Sequence, residues 1–466
     1  MSPMMARISR FFGEQDMTVG KPMSRLLQFS IPLLIGNFAQ QLYNTVDSII
    51  VGKYIGDSAL AAVGTSGPIL NLMLVLFMGI STGASILSAQ YYGAKDRSLL
   101  SRLVGTTFFL TAVSGIFMSI LGFFTTPFFI GLVHPPENVS EGAIVYLRII
   151  FAGMTGAAAY NILSGVLRGM GDSVFPLLFL VLASLINIVL DLLFVRNFSM
   201  GIAGVAYATI LAQFLSGILC LLRLCRMKQT IDLNRSTLRP DRPIMRKLIQ
   251  LGIPAGITSA IFSTSAIIVQ NLTNAMGELT IAANVAIMRV DGFAMMPNFT
   301  FGTAATTYVG QNLGAGKRDR IRQGTREMMI IALICACVLV AGILLFGRGL
   351  ISMFTNTETV IALGVRGLRW LALGYIAFAV SQVLQGVMRG VGETVVPMWI
   401  SIFSTIILRM PLAYLLAIVT RSPEWPNGHP DALFSSLLIS WLIAMLITVV
   451  LFRRGKWRRK VPGLYE

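Results

Sequence analysis

Charge is what this chain has least of: 12% of its 466 residues are Asp, Glu, Lys or Arg, against about a quarter in soluble domains. Such a chain is not written for water. Histidine is nearly missing, with two residues, and both His134 and His429 fall in predicted external loops. No metal or nucleophile constellation appears in the apolar segments, which argues against a membrane enzyme. The four cysteines, Cys220, Cys225, Cys335 and Cys337, lie in or near predicted helices, so no disulfide framework is expected. Met1–Gly20 shows no apolar core followed by small residues, and the first span is expected to direct insertion itself.

What the chain has in abundance is apolar sequence, 55% of all residues. A helix crossing the hydrocarbon layer needs about 20 mostly apolar residues. Runs of that length recur over 26–52, 60–89, 99–125, 142–167, 173–195, 201–223, 246–272, 279–310, 324–347, 361–388, 394–418 and 432–453. A transmembrane barrel would alternate apolar and polar residues, whereas Leu70–Phe77 is continuously apolar. The predicted fold is therefore an all-α polytopic membrane protein with twelve transmembrane helices.

The net charge of +17 is topological. With both termini inside, 28 of the 37 Lys and Arg fall in cytoplasmic segments, while the external loops hold only Lys53, Arg196, Arg348 and Arg421. That is the positive-inside bias of an even number of spans. The basic clusters lack the interleaved aromatics and folded module of a nucleic-acid binder, so no nucleic-acid partner is expected.

The chain is also duplicated. Ser164–Pro176 (SGVLRGMGDSVFP) matches Gln385–Pro397 (QGVMRGVGETVVP) at an offset of 221, and Ser30-Ile-Pro32 matches Gly252-Ile-Pro254 at 222. Two six-span halves related by an axis along the membrane normal follow from this. The expected organisation is a cytoplasmic segment at 1–25, an N-lobe at 26–223, a linker at 224–245, a C-lobe at 246–453 and a basic tail at 454–466. Pro32 and Pro254 are expected to bend the first helix of each half. Arg168 and Arg389 are expected at helix ends, facing lipid headgroups or serving a gate.

Ionisable residues inside a membrane are functional candidates by default. Asn37, Gln40, Asn44 and Asp47 are spaced three, four and three apart, so the first span carries them on one face. Asn187 and Asp191 lie one turn apart in the fifth span, and Thr209 in the sixth adds a hydroxyl. These hard oxygen donors suit a proton or a sodium ion, and two crowded carboxylates favour a site that exchanges a proton near neutrality. The alternative is that each acid merely satisfies a neighbouring helix. The second half has no equivalent set. Its seventh span holds hydroxyls and amides but no acid, and only Asp291, in the eighth, stands out. Asp291 can attract a cationic substrate or pair with Arg289 or Arg409, and Phe293, Met295 and Met296 beside it offer a polarizable wall.

The stretch IPLLIGNFAQQLYNTVDSIIVGKYIG, the segments QYYGAK and GQNLGAGK, and the paired LRGMGD and MRGVGE together resemble the multidrug and toxic compound extrusion (MATE) family, over nearly the whole chain. The resemblance implies two six-helix bundles forming a V-shaped cleft that rocks between outward-open and inward-open states, with Na+ or H+ driving export of organic cations. It places the cation site at Asp47, Asn187, Asp191 and Thr209 and a polar position at Gln40; the expected substrate cleft is Gln40, Asn44, Asn161, Asp291 and Met296. It implies no cofactor beyond the coupling ion, a monomer, and a multi-pass place in the inner or plasma membrane. Where some members carry acids in spans seven and ten, this chain has Phe262 and Phe378. The alternative within the same larger group is a flippase for lipid-linked oligosaccharides, which would need cationic groups for pyrophosphate where the first span here is neutral and acidic.

Overall fold

Among the described residues, twelve helical rods account for most of the structure. The computed structural model describes residues 15–133, 136–234, 236–455 and 457–458. Expectations for Met1–Glu14, His134, Arg235, Lys456 and the tail from Arg459 onward lie outside the described residues. Among the described residues there is no strand. The rods are α1 (Pro22–Tyr54), α2 (Asp57–Gly93), α3 (Arg97–Val133), α4 (Glu137–Ala152) with α5 (Met154–Gly169), α6 (Val174–Leu192) with a π-helical turn at Leu193–Asn197, and α7 (Gly201–Arg226). They continue as α8 (Arg242–Ala275), α9 (Glu278–Gly314), α10 (Arg318–Ser352), α11 (Glu358–Gly390), α12 (Val395–Ser401) joined through a π-helical stretch at Ile402–Arg409 to α13 (Met410–Val419), and α14 (Asp431–Arg454).

Each predicted apolar run has its helix, extended by a few polar residues at the ends. Most helices are long and apolar enough to cross a membrane, and α4 with α5 together form one such span as a bent pair. Helix α1 is the exception. At 33 residues it is long enough, so polarity is the reason: Asn37, Gln40, Gln41, Asn44 and Asp47 dilute its apolar face. Pro32 and Pro254 lie inside the continuous helices α1 and α8. The bent pair turns by 53° at Gly153, where the side chain of Ile210 occupies the space a Cβ would need.

The described chain divides into two compact units. The first holds Leu27–Gly256 with short pieces from elsewhere, and the second holds Gly20–Leu26, Ile257–Leu313 and the chain from Lys317. The division falls inside α8, whose first half packs with the first unit. Within each unit the same helix crossing is built from the same repeat positions. In the first, Gly165 and Gly169 of α5 meet the Ser81 and Ser85 backbone of α2, and Ser88 Oγ donates to the Val166 carbonyl at 2.9 Å. In the second, Gly386 and Gly390 of α11 meet the Gly302 and Thr306 backbone of α9, and Thr306 Oγ1 donates to the Gly386 carbonyl at 3.0 Å. The paired glycines, and the backbone positions they meet, are 221 apart. Glycine is needed because a Cβ would collide with a backbone carbonyl, so small residues let the helices close.

Arginine at the end of each crossing helix turns inward instead of reaching headgroups. The Arg168 guanidinium reaches Ser81 Oγ at 3.4 Å, and Arg389 lies against Gly302. Beyond each comes a glycine at positive φ, Gly171 at 88° and Gly392 at 82°, where only glycine is unstrained. Asp172 then closes the loop before α6. It is fully buried, pairs with Arg223 at 3.0 Å and accepts from the Phe175 amide at 3.1 Å. Burial pushes its carboxyl above the ordinary range, and the Arg223 guanidinium opposes that shift. The linker after α7 packs on α3: the Asp232 amide donates to Ser101 Oγ at 2.8 Å and the Asp241 amide to Thr106 Oγ1 at 3.0 Å.

Candidate functional site

Four helices of the first unit bring polar groups to one place. Helix α6 contributes Asn187 and Asp191, one turn apart and both with no exposed surface. Helix α1 contributes Asp47, whose carboxyl meets that of Asp191 at hydrogen-bonding range. Helix α7 contributes Thr209, which donates to its own Val205 carbonyl at 2.9 Å and still has lone-pair capacity. The hydroxyl of Tyr43, one turn before Asp47, is in contact with Thr209 and close to both acids. Tyr146 of α4 lies buried in the neighbourhood of both acids.

The hydrogen bonding of this cluster is incomplete. Asp191 Oδ1 and Oδ2, Asp47 Oδ1, and both Asn187 amide atoms are buried without a protein partner. An ionised carboxylate only accepts, so two carboxylates in contact hold together only with a proton or a cation between them. Buried polar atoms left unmatched cost about 1–3 kcal/mol each, and like charges in contact add to that. Two acids, an amide carbonyl and a hydroxyl form a hard donor set for a small monovalent cation. Among the described residues no group of three or more His, Cys, Asp or Glu forms a metal cluster. Sequence reasoning named four members of the cluster and missed both tyrosines. Tyr43 was readable as the residue one turn from Asp47, whereas nothing in the local sequence marks Tyr146.

The other cleft residues stand apart. Gln40 and Asn44 are exposed on α1. Asn161 spends its side chain on the Ala157 carbonyl at 2.9 Å, and its own carbonyl accepts from Ser81 at 2.6 Å, so it works in the α2–α5 crossing. Asp291 and Met296 belong to the second unit. Asp291 Oδ1 accepts from the Tyr375 hydroxyl at 2.9 Å, with Arg409 as the neighbouring cation, while Arg289 is exposed. Met296 is half-buried on α9. Phe378 is buried between Trp441 and Phe299, with ring centroids 5.4 and 5.5 Å away. An aromatic core thus stands where an acid was absent from the sequence.

Comparison with known proteins agrees with this architecture. A family model described as MatE matches residues 32–193 and again 254–415, one copy per half. The probable multidrug resistance protein YoeA of Bacillus subtilis (strain 168) is 31% identical over 421 residues, 88% of this chain and 91% of that protein. YpnP of the same organism, also a probable multidrug resistance protein, is 29% identical over 95% of this chain and 97% of its own length. Among solved structures, a MOP superfamily transporter from Pyrococcus furiosus superposes with a TM-score of 0.87 at 24% identity, covering 97% of this chain and 99% of that one. At that identity the likeness speaks for the fold.

Proposed function

The chain belongs to the MatE family of membrane transporters, and from that premise we propose that it is a secondary antiporter exporting organic cations, drugs among them, in exchange for Na+ or H+. The relatives' names as multidrug resistance proteins support the cargo class. The coupling half rests on one observation: the Asp47 and Asp191 carboxyls meet in a buried setting whose oxygens lack protein partners. The coupling ion binds at Asp47, Asn187, Asp191 and Thr209, and its arrival favours release of cargo and resetting of the carrier. Such coupling needs only that ion and cargo prefer different conformations. The duplicated lobes at 26–223 and 246–453, joined by the linker at 224–245, alternate access by rocking. Both termini are cytoplasmic and the working unit is a monomer.

The proposal is tested with ethidium-loaded membrane vesicles under an imposed sodium or pH gradient. One of the two gradients accelerates efflux and the other does not. Efflux indifferent to both gradients describes a passive pore or facilitator and ends the antiport reading.

A further inference from the structure

The second unit has an arginine where the first has its ion-binding amide. Pro176 and Pro397 are 221 apart, but the stretch after Pro397 runs through the π-helical segment Ile402–Arg409. A π-helical turn takes an extra residue into the helix, so the offset beyond it rises to 222. The two family matches end at 193 and 415, again 222 apart. On that register Asn187 corresponds to Arg409. In the preceding helices, where Pro32 and Pro254 fix the same offset of 222, Tyr43 corresponds to Ser265. Arg409 Nη1 donates to Ser265 Oγ at 3.3 Å. In the second unit, therefore, a guanidinium joins the two helices that correspond to α1 and α6, at the repeat positions of Tyr43 and Asn187.

Asp291 supplies the balancing charge. It is the acid near Arg409, and Tyr375 holds it by a 2.9 Å hydrogen bond. The repeat positions of Asp291 and Tyr375 in the first half are Leu70 and Met154, so the acid and its holder are extra to the shared plan, as the arginine is. The first-unit cluster carries two acids and no base, whereas the second carries one of each. Arg409 Nε is buried without a protein partner, so hydrogen bonding alone does not account for the guanidinium being there.

We infer that Arg409 is a built-in cation of the second unit, held where the first unit takes an exchangeable one, and that it confines ion coupling to Asp47 and Asp191. A guanidinium keeps its charge at every physiological pH and cannot leave, so Asp291 and Arg409 together are neutral throughout the cycle. Arg409 is thus a positioning residue: it acts through Asp291 and touches neither cargo nor coupling ion. The inference rests on the reading of the first-unit pair as the ion site.

The test uses purified full-length protein in detergent and the apolar carbodiimide N,N′-dicyclohexylcarbodiimide, which modifies buried carboxyls that accept a proton. Mass spectrometry of the peptides reads each acid separately. In the wild type, label is expected at Asp47 or Asp191 and only at background on Asp291. In Arg409→Gln and Arg409→Met, checked for monodispersity, Asp291 rises to the extent seen in the first unit, while Arg409→Lys keeps it at background. Purely structural damage would not distinguish Lys from Gln and Met in this pattern. The inference is overturned if Asp291 labels equally with and without the charge at 409, or stays at background in both neutral variants. Absence of label from Asp47 and Asp191 in every form instead removes the reading of the first-unit site, a separate outcome on separate peptides.

Discussion

Neutralising one acid of the Asp47–Asp191 pair should stabilise the protein where its ion is scarce, at the expense of coupling. Two unit charges about 4 Å apart repel by about 4 kcal/mol at an effective dielectric of 20. Asp47 is partly exposed, so screening reduces the working figure to about 1–3 kcal/mol. The folded state bears this strain when both acids are ionised, and the unfolded chain does not. A bound cation or proton relieves it, so wild-type stability rises with the coupling ion or as pH falls. A ligand at about 100 times its dissociation constant adds about 2.7 kcal/mol. Asp47→Asn starts on the relieved plateau and responds to neither. Thermal unfolding in detergent, followed by tryptophan fluorescence across sodium concentrations and pH, reads both effects. A variant that is less stable than wild type at high pH without sodium, yet responds to the ion as wild type does, would refute the reasoning.

Other outcomes follow from the same contacts. Tyr43→Phe removes the hydroxyl beside Thr209, and losing one hydrogen bond of about 0.5–1.5 kcal/mol should raise the ion concentration for half-maximal efflux by about 2- to 12-fold with the maximum rate kept. Asp172→Asn leaves Arg223 half-buried without its acid and should cost about 3 kcal/mol; Asp172→Asn with Arg223→Gln should cost less than the single change in the same melting assay. Gly165→Ala and Gly386→Ala each push a methyl into a backbone carbonyl at the repeated crossing and should each cost about 1–3 kcal/mol. Equal losses at these two repeat positions would show that the halves share one packing plan, and a neutral result at either would separate them.

Periodicity and length made the twelve spans legible, because lipid dictates run lengths with few exceptions. The polar face of α1 and the Asn187–Asp191 pair were legible for the converse reason, since such residues are costly in hydrocarbon unless used. What the sequence hid was tertiary. The break at Gly153 depends on Ile210, 57 residues later in sequence, and a lone glycine within an apolar run carries no sign of it. Tyr146 joins the acids through the packing of α4 and has no polar neighbour of its own pattern. Asp291 left three readings open in the sequence, and its hydrogen bond from Tyr375, with Arg409 near and Arg289 exposed, is tertiary. The π-helical stretch at Ile402–Arg409 was likewise invisible.

Gradient-driven efflux from proteoliposomes containing either wild-type protein or Asp191→Asn, at matched protein content, tests the central claim most directly. The account predicts that a sodium or proton gradient accelerates ethidium export by the wild type and leaves the variant at the rate seen with no gradient. Equal acceleration in the two would contradict it, because ion coupling would then run without the carboxyl on which the proposed site depends.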